Sequence, residues 1–252
     1  MLLLYDSMYW FGEMLVGNKG NIMKRLLYIA WSLAAFLGIS HSAVAADVRV
    51  IHGINGKDLG LAKGLPVDIS VNGTCALKGI RFKQSTTVEL GAGEYTIRVF
   101  FASGSCAGDP VIEKQVTISQ QAESAAFSLI ASLSTKGTPQ LAVFQNTGNA
   151  ILAPGVAVRH LAKAGTLRVR VGLRELGARL PLLVKTIRNG GEASQGILGA
   201  SSFGYSGSLE TRSSKRVTLP SRNVGRAYRI LYVVGSSENG FSILSETIKI
   251  PR

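Results

Sequence analysis

Two stretches of this chain open alike about 105 residues apart, and a repeat that long is a duplicated domain rather than a solenoid unit. Val48-Arg49-Val50-Ile51-His52 resembles Val156-Ala157-Val158-Arg159-His160. Val67-Asp68-Ile69-Ser70-Val71-Asn72-Gly73 resembles Leu167-Arg168-Val169-Arg170-Val171-Gly172. Further on, Val116-Thr117-Ile118 followed by Ala126-Phe127-Ser128-Leu129 is echoed by Val217-Thr218-Leu219 followed by Ala227-Tyr228-Arg229-Ile230. Whatever the first half folds into, the second half repeats.

The repeating unit reads as β structure. No long helical periodicity appears, and short Val/Ile/Leu/Thr runs alternate with Gly, Asn and Ser clusters. Val67, Ile69 and Val71 fall on one face, Asp68 and Ser70 on the other, and Asn72-Gly73 supplies a turn. Thr86–Leu90 leads through Gly91-Ala92-Gly93 into Glu94–Phe100, which reads as a second hairpin. Val111–Ser119, Ala125–Ser132 and Gln140–Phe144 complete the copy. Six or seven short strands in about 100 residues is the count of an immunoglobulin-like sandwich. The sequence therefore predicts an all-β protein of two tandem immunoglobulin-like β-sandwich modules, 47–145 and 155–252. The linker is Asn146–Pro154, with Gly148, Asn149 and Pro154 as breakers. The middle of the second copy, Leu173–Arg212, is richer in glycine and its strands are not placed by pattern.

Ahead of the modules, residues 23–45 read as a secretory signal peptide. Lys24 and Arg25 form a basic start, Leu26–Ile39 an apolar run, and Ala43-Val44-Ala45 a small-x-small cleavage site. The run is about 14 residues, short of the roughly 20 that a spanning helix needs. The expectation is a cleaved, secreted or periplasmic protein without a transmembrane segment in its mature part, folding where disulfides persist. Residues 1–22 place Asp6 and Glu13 ahead of the basic start and read as an over-extended gene start.

At these landmarks the chain resembles a family. Val48-Arg49-Val50-Ile51-His52, Pro66–Gly73 and Leu90-Gly91-Ala92-Gly93-Glu94-Tyr95 look like the bacterial secreted domain of unknown function 4397, over most of Asp47–Phe144 and more thinly over Val156–Ile250. The resemblance implies an exported β-sandwich, often in tandem, and carries no catalytic residue or cofactor to transfer. The second copy departs from it in lacking a clear Ala-Gly-x-Tyr hairpin.

Cys75 and Cys106 are the two cysteines of the chain. In an oxidising compartment an even pair reads as a disulfide, closing about 30 residues and stabilising the fold by roughly 3 kcal/mol. His52 and His160 hold equivalent places, and with no cluster of partners they read as strand-end imidazoles hydrogen-bonded to a neighbouring loop rather than as acid–base groups. No Gly-x-Ser-x-Gly elbow, Walker loop, dinucleotide fingerprint, zinc-protease His-Glu-x-x-His or calcium loop is present. Asp68 is matched by Arg168, so no catalytic carboxylate is shared between copies. No metal, cofactor or catalytic residue is expected.

Charge is the remaining signal. Of a formal net charge of +13, Asp47–Ala150 holds nine basic and eight acidic residues, whereas Ile151–Arg252 holds sixteen basic and five acidic. Arg168 and Arg170 alternate with apolar residues and should point outward, with Arg159 and Lys185 at the margin of a candidate anion-binding surface. Such a surface suits anionic envelope polysaccharide or lipopolysaccharide. Specific nucleic-acid binding is not expected, because no aromatic platforms are interleaved with the arginines. The reading is an exported, non-catalytic cell-envelope or extracellular binding protein. Its rival is a secreted hydrolase or carbohydrate-active enzyme with a site between the modules.

Overall fold

A computed structural model describes residues 46–118, 127–146, 154–175, 178–196, 204–211, 216–223 and 227–249. Residues 23–45, which the sequence reads as a signal peptide, residues 1–22 and all of the linker except Asn146 and Pro154 lie outside the described residues.

The first copy forms eight strands: β1 (Ala46–His52), β2 (Val67–Val71), β3 (Thr74–Ile80), β4 (Ser85–Leu90), β5 (Gly93–Phe101), β6 (Ile112–Ile118), β7 (Phe127–Leu133) and β8 (Pro139–Gln145). The second forms β9 (Gly155–His160), β10 (Leu167–Glu175), β11 (Ala178–Ile187), β12 (Glu192–Gly196), β13 (Gly204–Thr211), β14 (Arg216–Asn223), β15 (Ala227–Ser236) and β16 (Gly240–Lys249). Sheet orders β3-β2-β5-β6 and β4-β1-β7-β8 recur as β11-β10-β13-β14 and β12-β9-β15-β16. Strand for strand, the two topologies are the same. The molecule is two tandem β-sandwiches, antiparallel except where the first strand of each copy pairs parallel with the seventh.

Each sandwich closes over its own core. In the first, Val48, Val50, Val67, Ile69, Ile97, Val99, Leu129 and Leu141 interdigitate, with Val71 packed at the margin. In the second, Val156, Val158, Leu167, Val169, Val171, Leu209, Leu231 and Val233 do the same. The period-two reading of β2 and β10 thus has the right register. The three prolines inside the described strands, Pro139, Pro181 and Pro220, all fall on edge strands β8, β11 and β14, and Pro181 and Pro220 sit beside register shifts in their pairing.

Three details differ from the sequence reading. Asn72-Gly73 does turn the chain, with φ of 49° and 82°, but it leads into β3, an edge strand that the pattern did not register. Thr86–Leu90 and Glu94–Phe100 are not a hairpin. β4 pairs with β1, whereas β5 pairs with β2 and β6 in the opposite sheet. Alternation specifies which face of a strand is buried, not which sheet it joins, and both arrangements bury Val88, Leu90, Ile97 and Val99. Finally, the echo of Phe127-Ser128-Leu129 in Tyr228-Arg229-Ile230 is out by one. Val48 lies opposite Phe127, but its counterpart Val156 lies opposite Arg229. Leu129 therefore corresponds to Leu231, and Tyr228 and Ile230 face away from the core.

They face the other module. Ile51 and Ile130 from the first copy pack against Ala157, Leu161, Tyr228, Ile230, Tyr232 and Val234 from the second. The β4-β1-β7-β8 and β12-β9-β15-β16 sheets are thus stacked face to face, and four sheets lie in layers. This is why β7, β9 and β15 are buried along almost their whole length: strands covered on both faces read as continuous apolar runs.

Candidate functional site

The two modules treat their outermost sheet faces differently. In the first, the outer face of β2 displays Asp68 and Ser70, and both are buried. The cover is the ten-residue connection Ala102–Val111 between β5 and β6. It is tied down twice. Cys106 bonds to Cys75 on β3, with Cα atoms 5.5 Å apart. Asp68 Oδ2 accepts from the Ser103 and Gly104 N–H groups at 3.0 and 2.7 Å, and Oδ1 accepts from Gly79 N–H on β3 at 2.8 Å. Burial pushes the Asp68 carboxyl up, but the backbone donors of Gly79, Gly104, Ser103 and Cys106 outweigh it and hold it below the ordinary carboxylate value. Asp68 is a structural anion.

In the second module the positions of Asp68 and Ser70 are taken by Arg168 and Arg170. Both are exposed. They lie on one face of β10, about 7 Å apart along the strand. Arg168 stands between Thr186 and Glu210, and Arg170 between Val184 and Ser208. Arg216, exposed on β14, lies beyond Glu210. The connection between β13 and β14 is four residues here, against ten between β5 and β6.

The other two candidate anion ligands are elsewhere. Lys185 lies opposite Val169 and so projects to the inward face of edge strand β11, away from Arg168 and Arg170. An inward-pointing lysine on an edge is a device against strand-to-strand aggregation. Arg159 is a correction of a larger kind: its residue is 2 % exposed. It occupies the seam between modules, its Nε donating to Glu192 at 2.6 Å and its Nη1 to Ser128 and Tyr232 at 3.2 and 3.3 Å. Its guanidinium carbon sits 4.3 Å from the Phe144 ring centre. With Glu192 and the rings already engaged, it offers nothing to a polymer.

The seam carries a chain of polar groups. Asn146 donates to Ser128 at 2.9 Å, the Ser128 and Tyr232 hydroxyls meet at 2.7 Å, and Tyr232 donates to Glu246 at 2.5 Å. Arg49 lies 3.6 Å from the other Glu246 oxygen. Burial, then the neighbouring Glu246 charge, pushes the Tyr232 phenol well up, so it stays protonated and serves as a donor. The histidines take no part. His52 and His160 are fully buried, with Nε2 donating to Leu65 and Gly165 carbonyls at 2.8 and 2.6 Å. Nδ1 of each faces the N–H two residues on, Ile54 or Ala162. Among the described residues no cluster could hold a metal ion, and no helix is long and apolar enough to cross a membrane.

Residues 46–170 match the model of a family described as Domain of unknown function (DUF4397). This segment belongs to that family. The DUF4397 match takes in the whole first sandwich and continues through β9 to Arg170 in β10. No curated protein matches the chain. Among solved structures, the chain is similar to a DUF3823 family protein from Bacteroides ovatus ATCC 8483, 12% identical, covering 72% of this chain and 98% of that one at a TM-score of 0.20. So loose a superposition carries no argument.

Sequence reasoning missed two functional placements within the DUF4397 segment. Asp68 was legible only as an outward carboxylate, because the loop that covers it is remote in sequence. Arg159 sat in an apolar strand beside an apolar repeat of itself, and that context was the available sign of burial.

Proposed function

We propose that the protein is an exported, non-catalytic envelope or extracellular binding protein, whose second module takes an acidic polysaccharide or the anionic saccharide of lipopolysaccharide on the open face of the β11-β10-β13-β14 sheet. The observation that carries this reading is the contrast between copies. One topology, used twice, has its outer face closed by an anchored loop in the first module, whereas in the second, among the described residues, Arg168 and Arg170 stand outward and exposed on it. A guanidinium fork suits carboxylate and sulfate or phosphate oxygens alike, so charge rather than sequence of the polymer is what such a face would read. The non-catalytic part is supported by the seam, where Glu192 and Glu246 are both engaged with cations or a phenol and neither histidine reaches them. Export is supported by the segment Met23–Ala45.

The test is retention of the intact chain on immobilised heparin, and separately on lipopolysaccharide, eluted by salt. Exposed charges are screened over about 8 Å at physiological salt, so elution should come early and shift with ionic strength. Arg168→Ala with Arg170→Ala should elute at clearly lower salt, Lys185→Ala should change little, and wild-type elution by both double and single variants would sink the reading. The intact chain is needed because separated modules would expose the seam. Expression with the native leader, followed by N-terminal sequencing, should find a chain beginning at Ala46 outside the cytoplasm.

A further inference from the structure

The seam between the modules has two edges, and they are not filled alike. At the edge formed by β8 and β12, the Arg159 side chain lies across Phe144 and closes the gap. The strand register makes Ile51 the counterpart of Arg159: Ile51 lies opposite Ile130, and Arg159 opposite Tyr232. Ile51 is too short to reach across, and at the other edge, between β4 and β16, a cleft of about 230 Å³ remains. Arg49, Lys83, Ser85 and Ser245 supply its polar lining, and Ile51 and Leu244 part of its apolar wall.

We propose that this cleft binds a small carboxylate-bearing ligand of sugar-acid size, a site separate from the outer basic face. Three independent features point there. First, the lining carries two cations and no carboxylate; the nearest acid, Glu246, is committed to Tyr232 on one oxygen and lies 3.6 Å from Arg49 on the other. Second, Arg49 is held at the cleft by Ser85 at 2.9 Å while its side chain stays one-third exposed (33%), so the guanidinium is both anchored and accessible. Third, Lys83 has a φ of 72°, a left-handed conformation that L side chains rarely adopt. The corresponding turn of the second module puts Gly190 there, with φ of 81°. Both turns make the same bond, Lys83 N–H to the His52 carbonyl and Gly190 N–H to that of His160. A lysine kept where the sister copy uses glycine is an outlier of the kind that marks function, and its ammonium is what it adds. Arg49 can hold a carboxylate with directed N–H groups and Lys83 with a point charge, Ser85 and Ser245 can meet ligand hydroxyls, and the apolar wall can take a ring face.

Calorimetric titration of the intact chain tests this with D-galacturonate, neutral D-galactose and inorganic phosphate in parallel. Galacturonate should bind with a dissociation constant of about 1 mM, reasonable for so few atoms, and galactose should give no measurable heat. Lys83→Asn removes the charge while keeping a residue that tolerates the turn, and should weaken galacturonate binding about tenfold, or 1.4 kcal/mol. Ser245→Phe, at an exposed position filling the mouth, should abolish binding by occlusion. Arg168→Ala with Arg170→Ala should leave it unchanged, which separates this site from the polymer-binding face. Equal binding of galactose, unaltered binding by Lys83→Asn and Ser245→Phe, or loss of binding in the double arginine variant would overturn the proposal. Phosphate binding as tightly as galacturonate would overturn the assignment to a sugar acid.

Discussion

At the scale of single residues, Asp68 and the two imidazoles are placed where backbone groups, not counter-ions, satisfy them. Asp68→Ala would leave the Ser103, Gly104 and Gly79 N–H groups without their acceptor, and hydrogen bonds to a charged group contribute about 1.5–3 kcal/mol. Asp68→Asn should be little better despite its shape, because its amide nitrogen would face N–H donors. Urea unfolding of both variants should show a loss of at least about 2 kcal/mol, and wild-type stability in Asp68→Asn would mean that charge is irrelevant to the loop. His52 and His160 add a pH dependence. Burial, partly offset by hydrogen bonds to Leu65 and to Gly165 and Ala164, lowers both below the ordinary histidine value. The unfolded chain therefore binds protons that the folded chain refuses, so stability is lost as pH falls below about 6.5. Asp68 acts in the same direction lower down, its contribution fading as pH falls through and below the ordinary carboxylate range near 4. Urea midpoints should fall between pH 7 and pH 5, and His52→Gln with His160→Gln should flatten that fall; an unchanged slope would assign it to other groups.

Among elements, the β5–β6 connection matters most, since it decides whether an outer sheet face is open. The bridge between Cys75 and Cys106 spans 31 positions, and the chain-entropy account assigns such a loop about 3–4 kcal/mol. Asp68 and the disulfide order the same ten-residue segment, so they should not act independently. In a double-mutant cycle, Asp68→Ala should destabilise the Cys75→Ala/Cys106→Ala protein by clearly less than it destabilises the bridged one. Strict additivity would show that each holds a different part of the loop. The turn at Asn72-Gly73 is a smaller case: with φ of 82° at Gly73, Gly73→Ala should cost about 1 kcal/mol through backbone strain alone.

For the whole molecule, the seam joins the two modules through one shared buried cluster, which should couple their unfolding. Its apolar members are joined at the margins by Asp58, which accepts from Ser236 and Asn239, and by Asn189, which donates to the Leu133 and Ala162 carbonyls. Ile130 is fully buried between Ile51 and the Tyr232 side of the seam. Ile130→Asp should therefore cost more than about 3 kcal/mol, as an unpaired buried charge does, and calorimetry should find one unfolding transition in the wild type and two in this variant. Arg159→Ala should cost less, about 1–3 kcal/mol, because the Glu192 side chain it abandons is 30% exposed and can hydrate. A single sharp transition in Ile130→Asp at wild-type temperature would mean that the modules fold independently.

The sequence by itself determined the β class, the duplication, the inward faces of β2 and β10, the turn at Asn72-Gly73 and the pairing of two cysteines. Each of these follows from local spacing: period two, turn chemistry, parity. Only the tertiary structure decided that Thr86–Leu90 and Glu94–Phe100 join different sheets, that Asp68 lies under a loop while Arg168 does not, and that Arg159 belongs to a seam. Those are choices between arrangements that bury the same residues equally well, and they turn on contacts between segments far apart in the chain. The continuous apolar runs of β7 and β15 were the visible trace of the seam. Their meaning lay in a second buried face, which period-two reasoning assigns to water until a neighbouring sheet is there to cover it.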